Sequence, residues 1–77
     1  MKTVNIKLST IEDIRLLVDS ATACTFDIEL TSGSYTIDAK SIMGIFGLDL
    51  SKPVALTAFG DEPDILIDKI ASIIISE

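Results

Sequence analysis

The stretch TFDIELTSGSYTID, residues 25–38, decides the fold. Phe26, Ile28 and Leu30 alternate with polar residues, which is the period of a strand with one buried face. Residues 31–34 contain a glycine between serines and are typical of a hairpin turn, and residues 35–38 return as the paired strand. The stretch therefore predicts an antiparallel β-hairpin.

On the N-terminal side of the hairpin, a strand and a helix are predicted. Residues 3–8 alternate between apolar and polar side chains, as a half-buried strand does. The pairs Ser9/Glu12 and Thr10/Asp13 then have the spacing of a capping box, which marks a helix start. The apolar stripe of this helix is expected to consist of Ile11, Ile14, Leu17, Val18 and Ala21.

On the C-terminal side, residues 39–48 predict a short helix that begins at Ile42 and is capped by Ser41. Residues 54–59 predict the last strand. Asp61 is the expected N-cap of a final helix that runs to about Ile75, with Pro63 in its first turn. Its apolar stripe is expected to be Leu66, Ile67, Ile70, Ile73 and Ile74.

The predicted element order is β-α-β-β-α-β-α, in one domain over residues 1–77. Every predicted strand has a polar face, which favours a sheet with one covered face and one face in water. The expected fold class is α+β, an open-faced β-sandwich in which three helices cover one face of a four-stranded antiparallel sheet.

Composition excludes several functions. The net charge is −6, and the six basic residues are scattered singly, so neither nucleic acid nor an anionic membrane is an expected partner. The sequence has one cysteine, Cys24, and no histidine, so no disulfide within the chain, metal site or cofactor is expected. No apolar run has the length of a membrane span and no secretory signal pattern is present, so a cytoplasmic location is expected.

Three segments resemble the phosphocarrier protein HPr family. They are residues 27–30 (DIEL), residues 40–44 (KSIMG) and residues 54–60 (VALTAFG). The resemblance extends over the whole element order and implies the open-faced β-sandwich of that family. It also implies a place among the proteins of the sugar phosphotransferase system.

The resemblance fails at the start of the first helix. In the HPr family a histidine there carries the phosphoryl group, with an arginine beside it. In this chain the histidine position falls on Thr10 or Ile11, and the arginine position falls on Glu12 or Asp13. Carboxylates repel an incoming phosphate, and a phosphate ester on threonine is too stable to be passed on. The chain is therefore expected not to be competent for histidine phosphotransfer.

The KSIMG segment keeps two features that the resemblance links to function. Ser41 matches a regulatory phosphorylation site of the family, and its alternative role is that of a helix cap alone. Ile42, Met43 and Phe46 match a surface that partner proteins contact, and the alternative is that Met43 and Phe46 complete the core.

The leading hypothesis is a regulatory or protein-interaction module of the HPr family. Its expected partner is a phosphotransferase-system enzyme, a serine kinase or a transcription regulator. The alternative is a small-molecule-binding module of the ACT type, since a β-α-β-β-α-β core also suits that class. An enzyme or unconventional carrier that uses Ser41, Thr10 or an aspartate is disfavoured, because the sequence pairs no base with a nucleophile and no catalytic residue is expected.

Overall fold

Residues 1–76, the part of the chain that the computed structural model describes, form one five-stranded sheet and three α-helices. The elements are β1 (Lys2–Ile6), α1 (Ile11–Thr22), β2 (Ile28–Ser32), β3 (Tyr35–Asp38), α2 (Ile42–Phe46), β4 (Val54–Ala58), α3 (Asp64–Lys69) and β5 (Ile74–Ser76). A short 3₁₀ turn, Ala71–Ile73, links α3 to β5.

All strands of the sheet are antiparallel, in the order β3-β2-β4-β1-β5. The hairpin β2–β3 turns at Gly33, whose φ of 61° is the conformation that a type II′ turn requires at its first central position. The register places Leu56 of β4 between Val4 of β1 and Leu30 of β2. Because side chains alternate along a strand, these three residues share one face of the sheet.

The helices cover that one face. The buried residues of the strands and those of the helices form a single cluster. Its largest fully buried members are Ile6, Leu17, Ile28, Leu30, Ile45, Leu56, Leu66, Ile70, Val4 and Val54. On the opposite face Thr57 lies between Thr3 and Glu29. The fold is therefore α+β, with one antiparallel sheet and three helices.

The prediction of a four-stranded sheet is wrong, because a fifth strand follows α3. The last helix ends at Lys69 instead of continuing to Ile75. After the 3₁₀ turn, β5 pairs with β1 through Ile6 and Ile74, and the Lys7 N–H donates to the Ile73 carbonyl at 2.9 Å. Residues 73–75 are three isoleucines, whose branched Cβ atoms suit a strand better than a helix.

Other boundaries also differ from the expected ones. Asp61 does not cap the final helix, because α3 begins after Pro63, which supplies no side-chain hydrogen bond. Strand β2 begins at Ile28, and Phe26 is half-buried against the core just before it. Ile11 does not belong to the buried stripe of α1, since 63% of it is exposed.

Gly60 is required by the close approach of Phe26. A Cβ added at Gly60 would lie 2.4 Å from Cγ of that ring. Gly60→Ala is therefore expected to displace Phe26 and to lower the free energy of unfolding by about 1–3 kcal/mol, as overpacking does. Urea unfolding measures the change. The loss should shrink in a Phe26→Ala background, and equal losses in both backgrounds would contradict the packing argument.

Candidate functional site

The start of α1 is closed by a capping box formed by Thr10 and Asp13. The Asp13 N–H donates to Thr10 Oγ1 at 3.1 Å, and the Thr10 N–H donates to Asp13 Oδ2 at 3.2 Å. The same carboxylate oxygen accepts the Ser9 N–H at 2.9 Å. Thr10 has extended backbone angles, φ −134° and ψ 167°, which are typical of an N-cap residue.

This arrangement places a negative charge at the helix start. Backbone N–H groups at such a position are a ready anion site, and here the Asp13 carboxylate takes two of them, from Ser9 and Thr10. A second anion at the same place would be repelled by Asp13 and by Glu12, which are both in the first turn of α1. The predicted histidine positions, Thr10 and Ile11, therefore lie beside a carboxylate.

The loop between β1 and α1 is tied to the segment that follows α2. Lys7 Nζ donates to the Leu50 carbonyl at 2.8 Å. An open cavity of about 380 Å³ lies here, lined by Thr10 and Ile11 on one side and Leu50 on the other. The structure thus brings the start of α1 next to Leu50, a proximity that no spacing in the sequence indicates.

Asp49 in that segment has a pKa below its usual value. Ser51 lowers it through two hydrogen bonds to Oδ1, from Oγ at 2.5 Å and from the backbone N–H at 3.1 Å. The positive charges of Lys52 and Lys7 lower it further. Asp49 is therefore kept ionised beside the loop that precedes α1.

Ser51→Ala is expected to raise the pKa of Asp49, because the largest cause of its depression is the Ser51 hydroxyl. Since the pKa is depressed in the folded state, the stabilisation by Asp49 is present above the pKa of the unfolded chain. It is lost as the pH falls through the folded value. An NMR titration of the carboxyl carbon measures the shift, with Ser34→Ala as the control. An unchanged pKa in Ser51→Ala would contradict this assignment.

The short helix α2 is capped as expected. Ser41 Oγ accepts the Gly44 N–H at 3.2 Å, and the backbone of Ser41 is extended. Ser41 is exposed at the surface. The hydroxyl thus serves as a helix cap and is also open to solvent.

One apolar face of α2 lies in solvent. Met43 is 78% exposed, Phe46 is 52% exposed and Ile42 is 44% exposed, whereas Ile45 is fully buried. Met43 and Phe46 therefore do not complete the core. We call Ile42, Met43 and Phe46 the α2 surface.

Cys24 is half-buried just after α1, and its Sγ donates to the Ser20 carbonyl at 3.4 Å. Within residues 1–76 no three His, Cys, Asp or Glu side chains are grouped to hold a metal ion. No helix of that part is long and apolar enough to span a membrane.

Sequence reasoning missed two features of this site. One is the second hydrogen bond to the Asp13 carboxylate, from Ser9, although the Thr10/Asp13 spacing was a usable signal. The other is the exposure of Ile11. An apolar residue directly after an N-cap can face outward, because the stripe does not fix the orientation of the first turn.

Solved structures that share this open-faced antiparallel sheet and helix order include HPr phosphocarrier proteins. The crystal structure of HPr-C-His from Thermoanaerobacter tengcongensis superposes with a TM-score of 0.78 and 29% identity, covering 94% of this chain and 89% of that one. The phosphocarrier protein HPr from Bacillus anthracis gives a TM-score of 0.74 and 25% identity, covering 96% and 94%.

No protein-family model matches the chain, and neither does any curated protein sequence. The structural neighbours are HPr proteins that cover most of its length, and they support an HPr-like family for this chain. They favour the HPr-like interpretation over the ACT-like alternative.

Proposed function

We propose that this chain is a regulatory or protein-interaction module of the phosphotransferase system that does not carry a phosphoryl group on histidine. The observation that carries the proposal is the exposed α2 surface, with Met43 at its most exposed point. Exposed methionine and phenylalanine side chains adapt well to a partner surface. The module itself is a binding protein and not an enzyme.

The absence of a phosphoryl relay rests on the chemistry at the start of α1. The sequence contains no histidine. Asp13 holds the backbone N–H groups of Ser9 and Thr10, so a phosphoryl group at this place would compete with a carboxylate. Thr10 Oγ1 is itself engaged with the Asp13 N–H.

The proposed partner is a cytoplasmic protein that recognises HPr: a phosphotransferase-system enzyme, a serine kinase or a transcription regulator. Isothermal titration calorimetry of the chain against one protein of each kind tests the proposal. We expect saturable binding to at least one of them, with the negative heat-capacity change of apolar burial. Failure to bind all three would contradict the proposed function.

Ser41 is the proposed regulatory residue. A phosphate on its exposed hydroxyl would add negative charge and three acceptor oxygens next to Ile42 and Met43. Such a group is expected to change the affinity of the α2 surface for a partner.

With an HPr serine kinase and ATP, we expect one phosphate at Ser41, located by mass spectrometry. Ser41→Ala should abolish the label, and Ser34→Ala should leave it unchanged, because Ser34 lies in the hairpin turn and not at the start of α2. Label on another serine, or no label at all, would contradict the assignment of Ser41.

A further inference from the structure

A second concave surface lies at the end of α1 opposite Thr10 and Asp13. Helix α1 has 12 residues and spans roughly 18 Å, so this surface is remote from the helix start. An open cleft of about 560 Å³ is formed there by residues 23–26 between α1 and β2, by the loop between β4 and α3, and by Ile65 and Lys69 of α3. We call it the Phe59 cleft. The residues used below are Cys24, Phe26, Phe59, Asp61, Glu62 and Ile65.

The floor of the Phe59 cleft is apolar. Phe59 is 46% exposed and Ile65 is 53% exposed, although both are large apolar side chains. Phe26 is half-buried beside them and rests against Gly60, whose missing Cβ leaves room for the ring. Two of the three phenylalanines of the chain therefore line one cleft. Exposed apolar side chains grouped in this way are typical of an interaction site.

The charges around the cleft favour a cation. Asp61 and Glu62 are among the residues that line it, and both are exposed. The last turn of α1 contains no basic residue, so the partial negative charge of that helix end remains. The two nearby lysines oppose this only in part. Lys40 Nζ donates to the Cys24 carbonyl at 3.4 Å, and Lys69, in the last turn of α3, lines the cleft together with the two carboxylates.

We propose that the Phe59 cleft binds an arginine side chain of a partner peptide, flanked by apolar residues. A guanidinium group can stack on an aromatic ring while its N–H groups donate to carboxylates, and the cleft supplies the Phe59 ring beside Asp61 and Glu62. The flanking apolar side chains pack on Ile65. This site is separate from the α2 surface and does not depend on the proposed function.

The test is an NMR titration of the ¹⁵N-labelled chain with the peptide acetyl-Ala-Leu-Arg-Leu-Ala-amide. We expect saturable shifts of the amide signals of Cys24, Phe59, Gly60 and Glu62. A peptide with citrulline in place of arginine keeps the shape but lacks the charge, and it should bind about two- to fivefold more weakly. Added salt should weaken the arginine peptide and not the citrulline peptide.

Matched variants separate the cleft from general acidity. The double variant Asp61→Asn/Glu62→Gln should weaken binding of the arginine peptide, and Phe59→Leu should weaken it while keeping an apolar floor. Glu12→Gln/Glu29→Gln removes two carboxylates elsewhere and should leave binding unchanged.

Three results would overturn the proposal. They are equal affinity for the arginine and citrulline peptides, shifts located away from the cleft, and free arginine binding as tightly as the peptide. Concentration-dependent shifts at the cleft without peptide would assign it to a second copy of the chain and would also overturn it.

Discussion

Met43→Asp is expected to weaken binding of the proposed protein partner by about 30- to 150-fold while the chain stays folded. Met43 is 78% exposed, so its side chain contributes little to the core. A central apolar contact of an interface is worth about 2–3 kcal/mol, and a buried aspartate without a partner adds a desolvation cost. Calorimetric titration measures the affinity, and thermal unfolding followed by circular dichroism measures the fold.

Tyr35→Asp is the matched control. Tyr35 is also a large exposed side chain, at 70%, but it lies in β3 and not in the α2 surface. This variant should bind the partner with unchanged affinity. Equal weakening by both variants would mean that added negative charge, and not the α2 surface, governs binding.

Leu56→Ala is expected to lower the free energy of unfolding by about 2–5 kcal/mol. Leu56 lies on β4, the central strand of the sheet, and it is fully buried between Val4 and Leu30. A domain of 77 residues has a total stability of about 4–12 kcal/mol, so this one substitution removes a large part of it.

Thr57→Ala is the control for the Leu56 prediction. Thr57 is the next residue and points to the open face, where its Oγ1 lies 3.1 Å from Thr3 Oγ1. Loss of this exposed hydrogen bond should cost no more than about 1 kcal/mol. Urea unfolding compares the two variants. Equal destabilisation would contradict the assignment of the helix-covered face as the core.

The local elements that the sequence predicts well are those with a strong short-range signal. Gly33 marks the hairpin turn because a turn of that type requires positive φ at one position. Thr10 and Ser41 mark helix starts because a side-chain oxygen must satisfy a free N–H there. These interactions lie within three residues, so they do not depend on the rest of the fold.

The end of the chain could not be predicted in the same way. Leu66, Ile70 and Ile73 are all buried, and a continuous helix would bury the same three residues, so their pattern does not show where the helix ends. What ends the helix at Lys69 is the free edge of β1, which accepts β5 as a further strand. That partner is some 70 residues away in the sequence, so a local pattern does not contain the information.

In the candidate site, too, some features follow from the local sequence and others depend on residues that are distant in the sequence. Exposure of Ile42, Met43 and Phe46 follows from their positions on a short helix that buries only Ile45. The contact of Lys7 with the Leu50 carbonyl joins two loops that are distant in sequence, and it appears only once the sheet is formed. The positions matched to the lost histidine, Thr10 and Ile11, come from the family resemblance and remain a prediction.

Phosphoryl transfer from phosphoenolpyruvate tests the central claim most directly. The chain is incubated with labelled phosphoenolpyruvate and the first enzyme of the phosphotransferase system, with a histidine-bearing HPr as the positive control in a parallel reaction. We expect acid-labile phosphate on that HPr and none on this chain, because the sequence contains no histidine and Asp13 holds the N–H groups at the start of α1. Transferable phosphate on this chain would contradict the account.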